Sequence, residues 1–219
     1  MVTIMSALQP ADLLETLRAP SLGMRGLGAL KTRYRPLVCP LECVLMEIPE
    51  GARLFDIGCG AGALMYLALR LRGARVAHGY DISARAIAGA AAFAKGQPGF
   101  RAELRGSTDL PSLAGYDTIA LVDVLHHVPP AAQAEFLRGI VAGMDPGARL
   151  ILLDINADRV LTRTCNQLHD LLLARERVHP MRPAAVAGIL RAAGARLGET
   201  RLTRRLWYGH YLIVAAKPG

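Results

Sequence analysis

Aromatic side chains are scarce, 5% of the 219 residues, with a single tryptophan. So few rings leave little surface for stacking on bases, which argues against a nucleic-acid reader. The 26 basic residues comprise only three lysines (Lys31, Lys95, Lys217) and 23 arginines, a bias of the kind that genomic base composition produces. Cysteine is sparse too, at positions 39, 43, 59 and 165. That excludes a disulfide framework and points to a cytoplasmic chain. Cys39 and Cys43, four apart, suit one helical face. With no third and fourth cysteine close by they make a poor metal or cluster site, and read as small buried residues. No run approaches the roughly 18 apolar residues of a membrane span. Met1 to Gln9 lacks the basic start and long apolar core of a signal peptide.

What is present suits one domain with a sizeable core. Strand and helix patterns alternate, which implies a mostly parallel sheet with helices on both faces. Strands are predicted near 53–58, 75–81, 100–105, 117–123 and 149–155, then a closing pair near 196–203 and 208–216. Helices are predicted near 61–72, 83–95, 130–143 and 183–193. Pro129 and Pro130 suit the first turn of the third. Ser83 suits the N-cap of the second. Two segments fall outside this alternation. Residues 1–50 read as an N-terminal helical cap, with a helix over Ala11 to Arg18, a flexible glycine-rich stretch over Ser21 to Ala29, and a helix ending near Pro49. Residues 156–182 read as an insertion in the 51–219 core, with a helix over Thr162 to Arg175. It follows the carboxyl end of a strand, where open α/β sheets place ligands, and is expected to serve as a substrate lid.

The most informative stretch is Leu54-Phe55-Asp56-Ile57-Gly58-Cys59-Gly60-Ala61-Gly62. An apolar run ends in an acid, a glycine turn follows, and a helix begins. Glycines remove the Cβ atoms that hold a ligand off the backbone, and a helix start offers unpaired N–H groups. A pyrophosphate-binding turn would be ill served by Asp56, because two anions repel. An acid there suits a cationic ligand instead.

With Asp56, Gly58, Gly60 and Gly62 spaced acid-x-Gly-x-Gly-x-Gly, the chain resembles the class I methyltransferases that use S-adenosylmethionine. That ligand carries a sulfonium and an ammonium and no phosphate. The resemblance covers roughly residues 50–217. It implies a seven-stranded sheet whose last strand runs antiparallel, a cofactor-covering helix before the core, and cofactor contacts from Asp56, Gly58, Cys59, Gly60 and Gly62. Asp81, 25 positions after Asp56, ends the second strand and would accept from both ribose hydroxyls, while Ile82 packs on the adenine. Gly106-Ser107-Thr108-Asp109 departs from the family's Gly-Asp, so the adenine-side acceptor is either Ser107 or Asp109. Asp123 borders the methionine part through its backbone, and Tyr34 and Arg35 approach from the cap.

His126 and His127 are the titratable groups nearest the expected methyl. A neutral imidazole can take a proton from a hydroxyl as it attacks; alternatively one histidine caps the next helix or packs beneath the cofactor. Asp154, Asn156, His169, His179, Tyr208 and His210 are further polar candidates. No metal is called for. The Asn/Asp-Pro-Pro-aromatic motif of nucleic-acid base methylation is missing, so a small or carrier-bound acceptor is expected, methylated at oxygen before carbon. An RNA methyltransferase and a non-catalytic adenosyl-binding protein stay open as rival readings. The net charge of +8 is uneven: residues 1–50 hold five basic and five acidic side chains, 51–150 ten and eight, and 151–219 eleven and five. Arg201, Arg204 and Arg205 near the final hairpin, and Arg175, Arg177 and Arg182 beside the insertion, are candidates for holding an anionic acceptor.

Overall fold

The computed structural model describes residues 8–24, 27–106, 110–158, 178–205 and 208–219. Three helices precede the sheet: α1 (Pro10–Leu22), α2 (Leu27–Tyr34) and α3 (Leu41–Glu47), with a 3₁₀ turn at Arg35–Leu37. Of the glycine-rich stretch read as flexible, the described residues are helical at both ends, with α1 reaching Leu22 and α2 opening at Leu27. Cys39 lies in the turn ahead of α3 and Cys43 inside it, so the two do not share a helical face.

The sheet strands are β1 (Arg53–Ile57), β2 (Val76–Asp81), β3 (Phe100–Leu104), β4 (Thr118–Val122), β5 (Arg149–Ile155), β6 (Arg196–Leu197), β7 (Arg201–Arg205) and β8 (Tyr208–Ala216). The remaining described helices are α4 (Ala63–Leu71), α5 (Ala84–Ala94), α6 (Pro130–Gly143) and α7 (Pro183–Ala192). The strand order is β3-β2-β1-β4-β5-β8-β6, with β7 also paired to β8. β1 to β5 run parallel, and β8 is antiparallel to β5. Among the described residues the count is eight rather than seven because the strand expected over 196–203 breaks after Leu197 and resumes at Arg201, both pieces pairing with β8.

Strand residues alternate between two cores. Leu54, Ala120, Ile151 and Leu153 face α1, α3, α4 and α5. Phe55, Ile57, Ile119, Leu121, Leu150 and Leu152 face α6 and α7. Burial on both faces explains why β4 is apolar at nearly every position. Leu13 and Leu17 of α1 are fully buried in the first core, so the cap shares its packing. Strand order reverses between β1 and β4, and that switch opens a crevice at the carboxyl ends of the strands.

Candidate active site

A cleft of about 880 Å³ fills that crevice, roofed by α2 and the 3₁₀ turn. It lies within the ~300–1,000 Å³ of ordinary ligand sites. On its floor are Asp56 at the end of β1, Gly58, Cys59 and Gly60 of the following loop, Asp123 after β4, His126, and His210 of β8. Tyr34 and Arg35 reach it from the roof, as expected, and His127 stands exposed at its edge.

Three loop glycines have positive φ, and each has its own reason. A Cβ on Gly58 would collide with Val124, and one on Gly62 with Phe100. At Gly60, with φ +57°, a Cβ would meet no atom within 4 Å, so the space beside it is open to a ligand. Asp81 organises this loop: its Oδ2 accepts from the Gly60 N–H at 2.8 Å and its Oδ1 from the Ser83 N–H at 2.8 Å. Neither Asp81 nor Ile82 lines the cleft itself, whereas Ser83 and Ala86 do; Ile82 is 63% exposed. Ser83 caps α5, its Oγ accepting from the Ala86 N–H at 3.3 Å. Ser107, Asp109 and His169 lie outside the described residues, as does the expected helix over Thr162 to Arg175.

Asp56 is only 3% exposed. Burial pushes its carboxyl up to about 7, against the pull of Arg35 and with a further push from Asp81. The Cys59 thiol is raised far above its usual range by burial, with Asp56 and Asp81 adding to the effect. It is an inert neighbour rather than a nucleophile.

His126 and Asp154 form a buried pair. Asp154 Oδ1 accepts from His126 Nδ1–H and from the Ile155 N–H, and Oδ2 accepts from the His126 N–H at 3.1 Å. Asp154 thereby fixes the orientation of the His126 ring from its Nδ1 side. The turn holding His126 is clamped from behind. Gln133 donates to Leu125 O and to His179 O, and the His179 N–H donates to His126 O at 2.7 Å. Gln133 is a positioning residue the sequence did not reveal; a lone glutamine in an amphipathic helix gives no signal.

Asp123 is the one non-glycine residue with positive φ, +55°, among the described residues. Its Oδ2 lies 3.4 Å from Arg35 Nη2, and its Oδ1 lies 3.3 Å from His210 Nε2. Burial alone would raise its pKa, but His210, Arg35 and His126 together hold it well below the usual carboxylate range. The sequence favoured a backbone role for Asp123; the structure also sets its carboxylate in the cleft, between Arg35 and His210.

The arginine cluster at the hairpin has another use than expected. Arg205 pairs with Glu42 and Arg201 with Glu47, so β7 is fastened to α3. Arg182 pairs with Asp158 at 3.4 Å, joining the two described ends of the insertion. Arg204 stays exposed, while Arg175 and Arg177 lie outside the described residues. Lys31 and Arg35 of the cap and Arg85 of α5, rather than Arg201 and Arg205, are the lysine and arginine residues that line the cleft.

This fold with this cleft defines a Rossmann-like transferase of the class I methyltransferase type. Residues 31–199 match a family model described as a methyltransferase domain, and the chain belongs to that family. The match opens inside the cap, earlier than the sequence resemblance suggested. No curated protein matches the chain in sequence. Among solved structures it is similar to a Haloferax volcanii protein complexed with a methyltransferase activator, at 15% identity and TM-score 0.72, covering 94% of this chain and 98% of that one. It is similar also to the magnesium protoporphyrin IX methyltransferase of Synechocystis with bound S-adenosylhomocysteine, at 21% identity and TM-score 0.67, covering 93% of each chain. A third is the Burkholderia thailandensis 1,6-didemethyltoxoflavin-N1-methyltransferase, at 19% identity and TM-score 0.68, covering 98% of this chain and 93% of that one. S-adenosylmethionine is the methyl donor of this class. No described helix is long and apolar enough to cross a membrane.

Proposed function

We propose that the chain transfers the methyl group of S-adenosylmethionine to a small or carrier-bound, anionic acceptor, at oxygen in preference to carbon. The observation that carries this reading is the buried His126–Asp154 pair in the same cleft as Asp56 and the glycine loop. The residues present fit a cationic, phosphate-free cofactor. Gly60 leaves room for it, and the buried carboxyl of Asp56 regains its charged form when a cation lies against it. Asp81 spends one lone pair on each of two backbone N–H groups and keeps others for ribose hydroxyls. Ile82, with Ser107 or Asp109, serves the adenine, while Tyr34 and Arg35 close the methionine end with Asp123.

When bound, the cofactor supplies an electrophilic methyl on a positively charged sulfur. Asp154 holds the His126 ring, and Nε2 takes the acceptor's hydroxyl proton as the new oxygen–carbon bond forms and the carbon–sulfur bond breaks. His127 at the edge is the second candidate base. The dry floor and fixed line of attack supply most of the remaining rate. Lys31 and Arg35 favour an anionic acceptor. The engagement of Arg201 and Arg205 with Glu47 and Glu42 supports a small acceptor over RNA, because it removes two cations from any basic platform.

Incubating the protein with methyl-labelled cofactor and a cell extract, then separating RNA, protein and metabolites, tests the reading. Label is expected in metabolites or on an acyl carrier. Label in RNA overturns it.

A further inference from the structure

We infer that the sheet carries a second ligand site, apart from the cleft, that takes a one-ring aromatic carboxylate. The site is a pocket of about 160 Å³ beside β1, β2 and β3, and no residue lines both it and the cleft. Strand register builds its floor. Phe55, His78 and Arg101 are successive neighbours across β1, β2 and β3. Glu103 lies two residues beyond Arg101 and so points to the same face. Phe55 belongs to the core that α6 covers, which places the pocket on that side of the sheet. Parallel strands are ordinarily covered on both faces and apolar throughout. Here the link from β3 to β4 carries no helix among the described residues. The face of β2 and β3 beyond α6 is therefore left open, and its side chains are polar.

Those side chains are held in place by one another. His78 Nδ1 lies 2.7 Å from the Tyr116 hydroxyl. The Tyr116 ring meets Phe55 edge-on at 4.9 Å between centroids and His78 at 5.7 Å. Three rings thus border a space close to the ~150 Å³ that accepts one benzene. A guest ring packs on such a wall offset or edge-on. Beside the rings stand the charges. Glu103 Oε1 accepts from Arg101 Nη2 at 2.6 Å, and Oε2 accepts from Arg105 Nε at 3.1 Å and Nη2 at 2.9 Å. Two cations share one carboxylate, so the lining keeps one positive charge uncompensated. Each guanidinium has five N–H donors, and Glu103 takes one from Arg101 and two from Arg105. Burial lowers the His78 pKa, and Arg101 and Arg53 lower it further against the opposing pull of Glu103. His78 is therefore neutral at pH 7, and the local field is positive. An arginine fork pairs with a carboxylate in a bidentate way. A neutral ring would leave that charge unanswered, and a bare phosphate would leave the ring-sized space unfilled. The ligand that answers both is a single ring bearing a carboxylate.

The full chain is titrated into 4-fluorobenzoate, and broadening of the fluorine resonance reads binding. A dissociation constant on the order of 1 mM is expected for so few atoms. 4-Fluorobenzamide, of the same shape without the charge, should bind roughly tenfold more weakly or less well still. The double variant Arg101→Gln with Arg105→Gln should weaken the benzoate by a similar factor. Both side chains reach solvent, so it should keep the wild-type melting point. Glu103→Gln removes the competing carboxylate and should tighten binding about two- to fivefold. Lys31→Gln, in the cleft, should leave it unchanged. No broadening with folded wild type overturns the site, and so does equal binding of the amide. Binding that survives the double arginine variant, that weakens in Glu103→Gln, or that is lost in Lys31→Gln also overturns it, because the ring then sits elsewhere. None of these readouts involves methyl transfer, so failure of the site and failure of the proposed activity are separable.

Discussion

Asp56 serves two ends that oppose each other. Its folded-state pKa stands at about 7 against 3.8 for a free carboxyl, so the native state favours its protonated form. That contribution to stability is complete below about pH 4 and is lost as pH rises through about 7. Asp56→Asn should therefore stabilise the ligand-free protein at pH 8, by about 2–4 kcal/mol, and by much less at pH 4. Thermal melts at the two pH values measure this. Cofactor affinity should run the other way, rising with pH through about 7 because a cation favours the ionised carboxyl. Calorimetry with S-adenosylhomocysteine reads it, and a pH-independent affinity lost equally from Asp56→Asn would argue for a steric role instead. At Asp81, replacement by Ala should cost about 1.5–3 kcal/mol of cofactor binding. Because Asp81 also ties down the Gly60 and Ser83 N–H groups, part of that loss is loop disorder, and Asp81→Asn should fall between. His126→Gln should bind cofactor normally and turn over roughly 10²–10⁴-fold more slowly. Asp154→Asn should resemble it, since the ring loses the acceptor that fixes its tautomer.

Among the elements, the glycine loop and the β7–β8 hairpin give opposite lessons. The loop's spacing announced a ligand, but only packing tells its glycines apart. Both alanines strain a left-handed backbone, but Gly60→Ala places its methyl in open space and should weaken cofactor binding more than it lowers the melting temperature. Gly62→Ala meets Phe100 and should chiefly lower the melting temperature. Comparing affinity and melting point for both variants checks this, and equal effects on both quantities would refute it. At the hairpin, arginines that looked like an anion platform are fasteners. Glu42 is well buried against Arg205, and removing one partner strands the other. Arg205→Ala should cost about 1–3 kcal/mol, lowering the melting point by ~2–4 °C per kcal/mol, whereas Arg204→Ala should leave it unchanged. Sequence spacing could not separate 204 from 205. Their side chains alternate across the strand, and which face meets α3 is set by pairing with β8.

For the molecule as a whole, ligand binding and stability are linked. S-adenosylhomocysteine at a hundredfold over its Kd should add about 2.7 kcal/mol, a rise of ~5–11 °C in the melting point. A flat melting curve would remove the cofactor reading for the whole cleft. The order of strands and helices was readable from the chain. Hydrophobic period depends on local geometry, as do turn residues and caps such as Ser83 or Pro130, and local geometry is written locally. So were the acid-glycine loop and Asp81, because one strand–turn–helix holds each. The pairings of His126 with Asp154 and of Cys39 with Asp123 and His210 were not. Those partners lie far apart along the chain, and neither periodicity nor spacing carries information across such gaps. Only the order of strands in the sheet, with β4 between β1 and β5 and β8 beyond it, brings them to one end. Burial then changes what they are. A cysteine, an aspartate after a strand and a histidine in an apolar run become one desolvated cluster because the sheet and the cap exclude water around them, and burial pushes the Cys39 thiol well above its usual range.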